Sequence, residues 1–168
     1  MSWSDAVTQY ARALKQGQKY HNACVIRGQN PYPAVLDDVL GESPVARRIP
    51  IGVVEIPMEQ IVGTTTKGRK SAFAGNFMPL LDASTEFGNK WINLCLSHLT
   101  DGIHDPIVCY EYMGRFYVTE GNKRVSVLKS YDALSIQGIV TRIIPTWSED
   151  EAVQVYYEFM PFYDLSGI

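Results

Sequence analysis

The sequence contains no run of about eighteen apolar residues, the least that a membrane-crossing helix needs. At its start, Met1, Ser2, Trp3, Ser4 and Asp5 form neither a basic nor an apolar leader. Neither a membrane-spanning chain nor one exported by a signal peptide is therefore expected. Cysteine is scarce: Cys24, Cys95 and Cys109 are an odd number, far apart, with no C-x-x-C pair. That spacing supports neither a disulfide framework nor a structural zinc site, and it suits a reducing cytoplasm in which each thiol is a small buried hydrophobe. Positive charge is also short, with 15 Lys and Arg against 18 Asp and Glu and a net charge of −3. A protein that coats nucleic acid by bulk charge is excluded, while a local basic site on an acidic body remains open. Internal repeats and low-complexity tracts are lacking too.

What is present is the balance of one globular domain: 168 residues, 46% hydrophobic and 20% charged. A chain of that size buries roughly 70% of its unfolded surface and folds without covalent staples. Residues 1–41 read as an N-terminal helical arm. Ser4 and Asp5 cap a helix carrying Val7, Tyr10, Ala11 and Leu14, which ends near Gly17. A second helical stretch over 21–26 stops at Gly28, Pro31 and Pro33 force extension, and a short segment over 34–40 closes at Gly41. Residues 42–145 form the main domain. The β-branched run 49–56 predicts a strand, and 63–83 a long loop anchored by Ala72, Phe73 and Phe77, of a length uncommon unless functional. Ser84 or Thr85 opens a helix with Trp91, Leu94, Cys95, His98 and Leu99 on one face, ending at Asp101 and Gly102. Strands follow over 107–112 and 115–119, joined by a hairpin turn at Met113 and Gly114. A helix over 122–132 carries Val125, Leu128 and Tyr131, and a strand occupies 139–144. Residues 146–168 hold a last helix, capped at Ser148, that packs on the domain and is broken at Pro161.

The most informative chemistry lies where the strand 115–119 meets the next helix. Gly121 there exposes unpaired backbone N–H groups, and the helix dipole adds partial positive charge. Lys123 and Arg124 in the first turn stand at the wrong end of that dipole, since cations favour the C-terminus. A bound phosphate compensates, with Arg supplying a fork and Lys a point charge. The plainer reading makes Gly121 a turn and leaves the two cations solvated or paired with Glu120.

The order of these parts resembles the N-terminal domain of ParB-type partition proteins, in the ParB/sulfiredoxin superfamily. Gly102, Pro106 and Ile107 match its G-x-x-x-P-I-x-V element, with Val108 at the variable seventh position, and Gly121 and Arg124 match the G-E-R-R turn or its relative G-N-H-R, over about residues 49–145. The resemblance implies an α+β fold, a small mixed β-sheet flanked by helices, formed by about residues 49–56, 107–112, 115–119 and 139–144. It implies phosphate contacts at Gly121, Asn122, Lys123 and Arg124. Arg69, in a stretch Gly68, Arg69, Lys70, Ser71, Ala72, Phe73, is the counterpart of an upstream family arginine. Asn122 stands where ParB relatives have a glutamate and sulfiredoxins a cysteine, so sulfiredoxin chemistry loses its nucleophile and the ParB route of hydrolysis its acid.

Glu120 and His104 are the remaining catalytic candidates. Glu120 can hold Mg²⁺ beside a nucleotide or simply balance Lys123 and Arg124, and His104 is a base or an exposed turn histidine. No metal site is expected from protein ligands alone; a nucleoside triphosphate with Mg²⁺ is the candidate cofactor. Tyr110, Tyr112, Phe116, Tyr117, Tyr156, Tyr157, Phe159, Phe162 and Tyr163 fit either base stacking or a core, and their spacing favours the core. The leading expectation is a ParB-like module that binds a nucleotide or nucleic-acid phosphate, DNA among them, in a DNA-associated or transcription-regulatory role, with a homodimer as a candidate assembly and no membrane partner. The alternative is a metal-dependent nuclease or small-molecule phosphotransferase of the same superfamily. A third reading is a protein-interaction domain with a vestigial corner.

Overall fold

The computed structural model describes residues 2–42, 45–65, 71–145 and 153–157. Along the chain run α1 (Trp3–Ile26), β1 (Ala34–Val35), α2 (Leu36–Leu40), β2 (Val45–Pro57), β3 (Ile61–Thr64), α3 (Glu86–Thr100), β4 (Ile107–Tyr112), β5 (Arg115–Glu120), α4 (Asn122–Ser130) and β6 (Ser135–Pro145). The strands form one mixed six-stranded sheet in the order β1-β3-β5-β4-β6-β2. β4 pairs antiparallel with β5 across the Met113 and Gly114 turn, and parallel with β6, which pairs antiparallel with β2 at the edge. The fold is therefore the expected α+β class, with the four expected strands in one sheet.

Alternation sorts the strands into two faces. Ile107, Cys109, Phe116, Val118, Ile136 and Val140 point to one face and meet Val125 and Leu128 of α4. Tyr117 and Ile143 point to the other and meet Leu36 of α2. A further core joins α1 and α3, where Ala6, Tyr10 and Ala13 pack on Trp91, Ile92 and Cys95 together with Val127 of α4. The edge of the Tyr10 ring meets Trp91 at a centroid distance of 5.2 Å, and the Tyr10 hydroxyl donates to the Leu81 carbonyl at 2.6 Å. Burial pushes that hydroxyl's pKa up to about 12. All three cysteines are buried thiols, and burial, with the Glu111 carboxylate adding to it, raises Cys109 to about 12. Phe116, Tyr117 and Tyr156 are core residues, whereas Phe159, Phe162 and Tyr163 lie outside the described residues. No helix among the described residues is long and apolar enough to cross a membrane.

The structure differs from expectation in several places. The two helices separated at Gly17 are a single 24-residue α1. Gly17 answers to packing and not to helix termination: a Cβ there would lie 2.2 Å from the Pro79 carbonyl oxygen. That helix begins at Trp3 with Ser2 as its cap, two residues before the expected cap at Ser4, and the Ser2 N–H donates to Asp5 Oδ2 at 2.9 Å. β3 occupies the start of the segment read as loop, and β1 pairs with it in parallel; both are too short to show a period of two. β2 extends to Val45–Pro57 because β6 supplies a partner along its length, with a register shift near Gly52, whose φ is 96°. Of the last helix, residues 153–157 are helical and Tyr157 donates to the Pro145 carbonyl; its expected cap at Ser148 lies outside the described residues.

One charged pair sits inside the sheet. Glu111 of β4 faces Arg142 of β6 in register, and Arg142 Nε donates to Glu111 Oε2 at 2.7 Å with side chains only 4% and 5% exposed. The second carboxylate oxygen accepts from the Gly114 N–H at 2.9 Å, which ties the β4–β5 turn to the pair.

Two stability predictions follow from this packing. Gly17→Ala should lower stability in urea unfolding by about 1–3 kcal/mol through overpacking, although alanine is the better helix former by ~1 kcal/mol; a stabilised variant would mean that the contact with Pro79 is loose. Arg142→Met alone should cost about 3–5 kcal/mol by leaving Glu111 buried and unpaired, whereas Arg142→Met with Glu111→Leu should recover most of that loss in the same measurement.

Candidate functional site

β5 runs out at Glu120, and the chain turns into α4 through Gly121 at φ 107° and ψ 23°. Glycine is required there on two counts. Its backbone is left-handed, and an added Cβ would stand 2.6 Å from Ile107 Cγ2. The Gly121 carbonyl accepts the first helical bond, from the Val125 N–H at 3.0 Å. The N–H groups of residues 122–124 then have no acceptor within the helix. They open onto a hollow of about 200 Å³ lined by residues 119–124 together with Phe73 and Leu94.

Lys123 is half-buried, with Nζ 5.3 Å from the centroid of the Phe87 ring. It also adds to the effect of Lys90, whose hydrogen bond and charge are the larger causes holding the Glu86 carboxyl below its ordinary pKa. Arg124 folds back over the corner. Its Nη1 donates to the carbonyls of Asp105 at 2.9 Å and Pro106 at 2.8 Å. Nε and Cζ lie 3.2 Å from the position that a Gly121 Cβ would take. The guanidinium thus binds the start of β4 to the first turn of α4 while its flank lines the hollow. Asn122 is 8% exposed and also lines the hollow. Glu120 is exposed on the same wall.

The structure thus brings Glu120, Gly121, Asn122, Lys123 and Arg124 together and leaves His104 apart. His104 is exposed, its Nε2 is 2.8 Å from the Asp101 carbonyl oxygen, and it lines a separate hollow with Glu55, Ile103, Leu128 and Ser135. Arg69 lies outside the described residues. Among the described residues no three His, Cys, Asp or Glu side chains converge as a metal-binding group. Phe73 and Leu94 escaped the sequence reading as walls of the site. Phe73 shows there only as an apolar anchor in a loop, and Leu94 only as part of a buried helix face.

No protein-family model matches the chain, and no curated protein matches it in sequence. Among solved structures, it aligns with sulfiredoxin from Arabidopsis thaliana over 52% of this chain and 82% of that one, at 23% identity and a TM-score of 0.37.

The double role of Arg124 gives a test on the protein without any ligand. Arg124→Ala should lower stability by about 1.5–3 kcal/mol, the range for hydrogen bonds made by a charged donor. Gly121→Ala should lose more than the ~1–2 kcal/mol of left-handed backbone strain, since Ile107 must also move. Urea unfolding of both variants measures these losses, and an unperturbed Arg124→Ala would mean that the two carbonyl contacts contribute nothing.

Proposed function

We propose that the corner at residues 121–124 binds the phosphate of a nucleotide or of nucleic acid, and that the chain acts as a ParB-like binding module in a DNA-associated or transcription-regulatory role. The observation that carries this reading is the hollow itself. The N–H groups of a first helical turn, which have no acceptor within the helix, a glycine that allows close approach, and two cations meet in one concavity of about 200 Å³. The sequence resemblance to the G-E-R-R turn of ParB-type domains supports the same residues. Phosphate oxygens would accept from the backbone N–H groups, with Lys123 as a point charge and the outer edge of Arg124 as a second donor. Phe73 and Leu94 offer an apolar wall to whatever the phosphate is attached to.

A metal-dependent nuclease or phosphotransferase is the second reading, and the position of Glu120 favours it. Its carboxylate stands on the wall of the phosphate hollow, where it could share a divalent ion with a bound phosphate. Asn122 offers neither the acid nor the thiol of the family's turn, so chemistry in this hollow would run through Glu120.

Thermal-shift and calorimetric titration with nucleoside mono-, di- and triphosphates and short DNA, with and without Mg²⁺, tests the binding reading. A ligand at 100 times its Kd should add about 2.7 kcal/mol of stability. Lys123→Ala should weaken binding without the loss of fold expected of Arg124→Ala, and Arg124→Ala should weaken it by ~1.5–3 kcal/mol. Affinity unchanged in both variants would remove the corner from consideration. For the second reading, turnover should require Mg²⁺ or Mn²⁺, vanish in EDTA and fall in Glu120→Gln; robust turnover in EDTA would place the chemistry elsewhere.

A further inference from the structure

Charge is spread unevenly along this chain. Between Asp5 and Asp37 the sequence holds Arg12, Lys15, Lys19 and Arg27 and no acidic residue, although the net charge of the whole is −3. Three of these cations stand in the middle of α1. Positions three and four apart share a helix face, so Arg12, Lys15 and Lys19 form one stripe, and all three are exposed. The buried side of the helix carries Ala6, Tyr10, Ala13 and Gly17. Like charges at these spacings repel and weaken the helix. On α3 such a charge is balanced, since Lys90 meets Glu86 one turn away at 2.8 Å. The α1 stripe has no such balance. No acid stands three or four residues from any of its members, and their side chains make no ion pair or hydrogen bond among the described residues. A local cost of this kind, left without an internal offset, is a mark of a functional surface.

At about 1.5 Å per residue the stripe covers roughly 10 Å of helix axis, and one strand of duplex DNA passes about three phosphates over that length. Gln18 and Asn22, three residues beyond Lys15 and Lys19, are also exposed and add neutral donors of the kind that phosphate oxygens accept from. The neighbouring aromatic, Tyr20, is turned against Gly75, where an added Cβ would stand 2.8 Å from its Cε1, so the stripe meets a backbone and not bases. A helix that lies on a membrane keeps its apolar face for lipid. That of α1 packs on α3, and its exposed apolar residues, Trp3, Val7, Val25 and Ile26, stand at its two ends, away from the cations. We propose that Arg12, Lys15 and Lys19 dock α1 on the phosphate backbone of duplex DNA without reading its sequence. This surface is on a different helix from the corner at residues 121–124 and does not depend on it.

The test is fluorescence anisotropy of a labelled duplex of mixed sequence with the full chain, with polyglutamate and phosphatidylserine vesicles as competing polyanions. Three neutralised phosphates give a slope of log affinity against log salt of about −2.7, so affinity should fall roughly 40-fold between about 50 and 200 mM salt. Arg12→Gln, Lys15→Gln and Lys19→Gln together should bring the slope close to zero, and each alone should make it shallower by about 0.9. Glutamine is a good helix former and the substitutions relieve repulsion, so the melting temperature should not fall. Arg47→Gln with Arg48→Gln, an exposed basic pair on β2, should leave the slope unchanged. No binding by the unaltered protein at low salt, or full binding by the triple variant, overturns the inference. Binding lost in Lys123→Ala but kept in the triple variant assigns the DNA to the corner, which supports that reading and overturns this one. Displacement of the duplex by polyglutamate or by the vesicles at equal concentration of charge overturns the assignment to nucleic acid.

Discussion

The burial of α4 on two sides is the constraint on which the rest of the structure depends. Val125, Ser126, Val127 and Leu128 are four consecutive buried residues, and four consecutive positions on a helix point all around it. Val125 and Leu128 face the sheet, and Val127 faces α1 and α3. Ser126 accepts a hydrogen bond from the buried Trp91 indole at 2.8 Å, which fixes the rotation of α4 about its own axis. At the far end, Gln9 of α1 donates to the Ser130 carbonyl at 2.9 Å. A helix held in this way cannot slide or turn, so its N-terminus is a fixed point, and Gly121 and Arg124 tie that point to β4 through Ile107 and the carbonyls of Asp105 and Pro106. A site on such a helix is positioned by core packing more than by its own loop.

How much of this could be read from the sequence depends on whether the signal was local. The apolar, aromatic-rich runs around 107–110 and 115–118, the turn at Met113 and Gly114 between them, and the cap at Thr85 are local, and the structure bears them out: the two runs pair antiparallel, and Thr85 Oγ1 accepts from the Gly88 N–H at 3.0 Å. Gly17 is the opposite case. Within its own helix it reads as a breaker, and its reason lies in the backbone at Met78 and Pro79, far away in the chain. β1 and β3 are specified by pairing with each other and with β5 and not by their composition. Glu111 and Arg142 lie on different strands 31 residues apart, and only the register of β4 against β6 shows that they meet inside the sheet. The site divides the same way. Its donors are consecutive residues and legible, while its walls, Phe73 and Leu94, arrive from two other parts of the chain.

The two cations at the wrong end of the α4 dipole are offset within the protein before any ligand arrives. Arg124 meets two carbonyl oxygens that lie against the helix N-terminus, and these supply the negative potential that the dipole favours there. Lys123 rests over the Phe87 ring, whose negative face attracts an ammonium group. Neither side chain is left to wander in solvent. Side chains as long as these lose substantial rotamer entropy when they are fixed, and a site that orders them only on binding loses that much affinity. Here folding has already placed them, so a phosphate bound as proposed would meet donors that stand in place, and its binding energy would be set by the hydrogen bonds it makes rather than by the ordering it must impose.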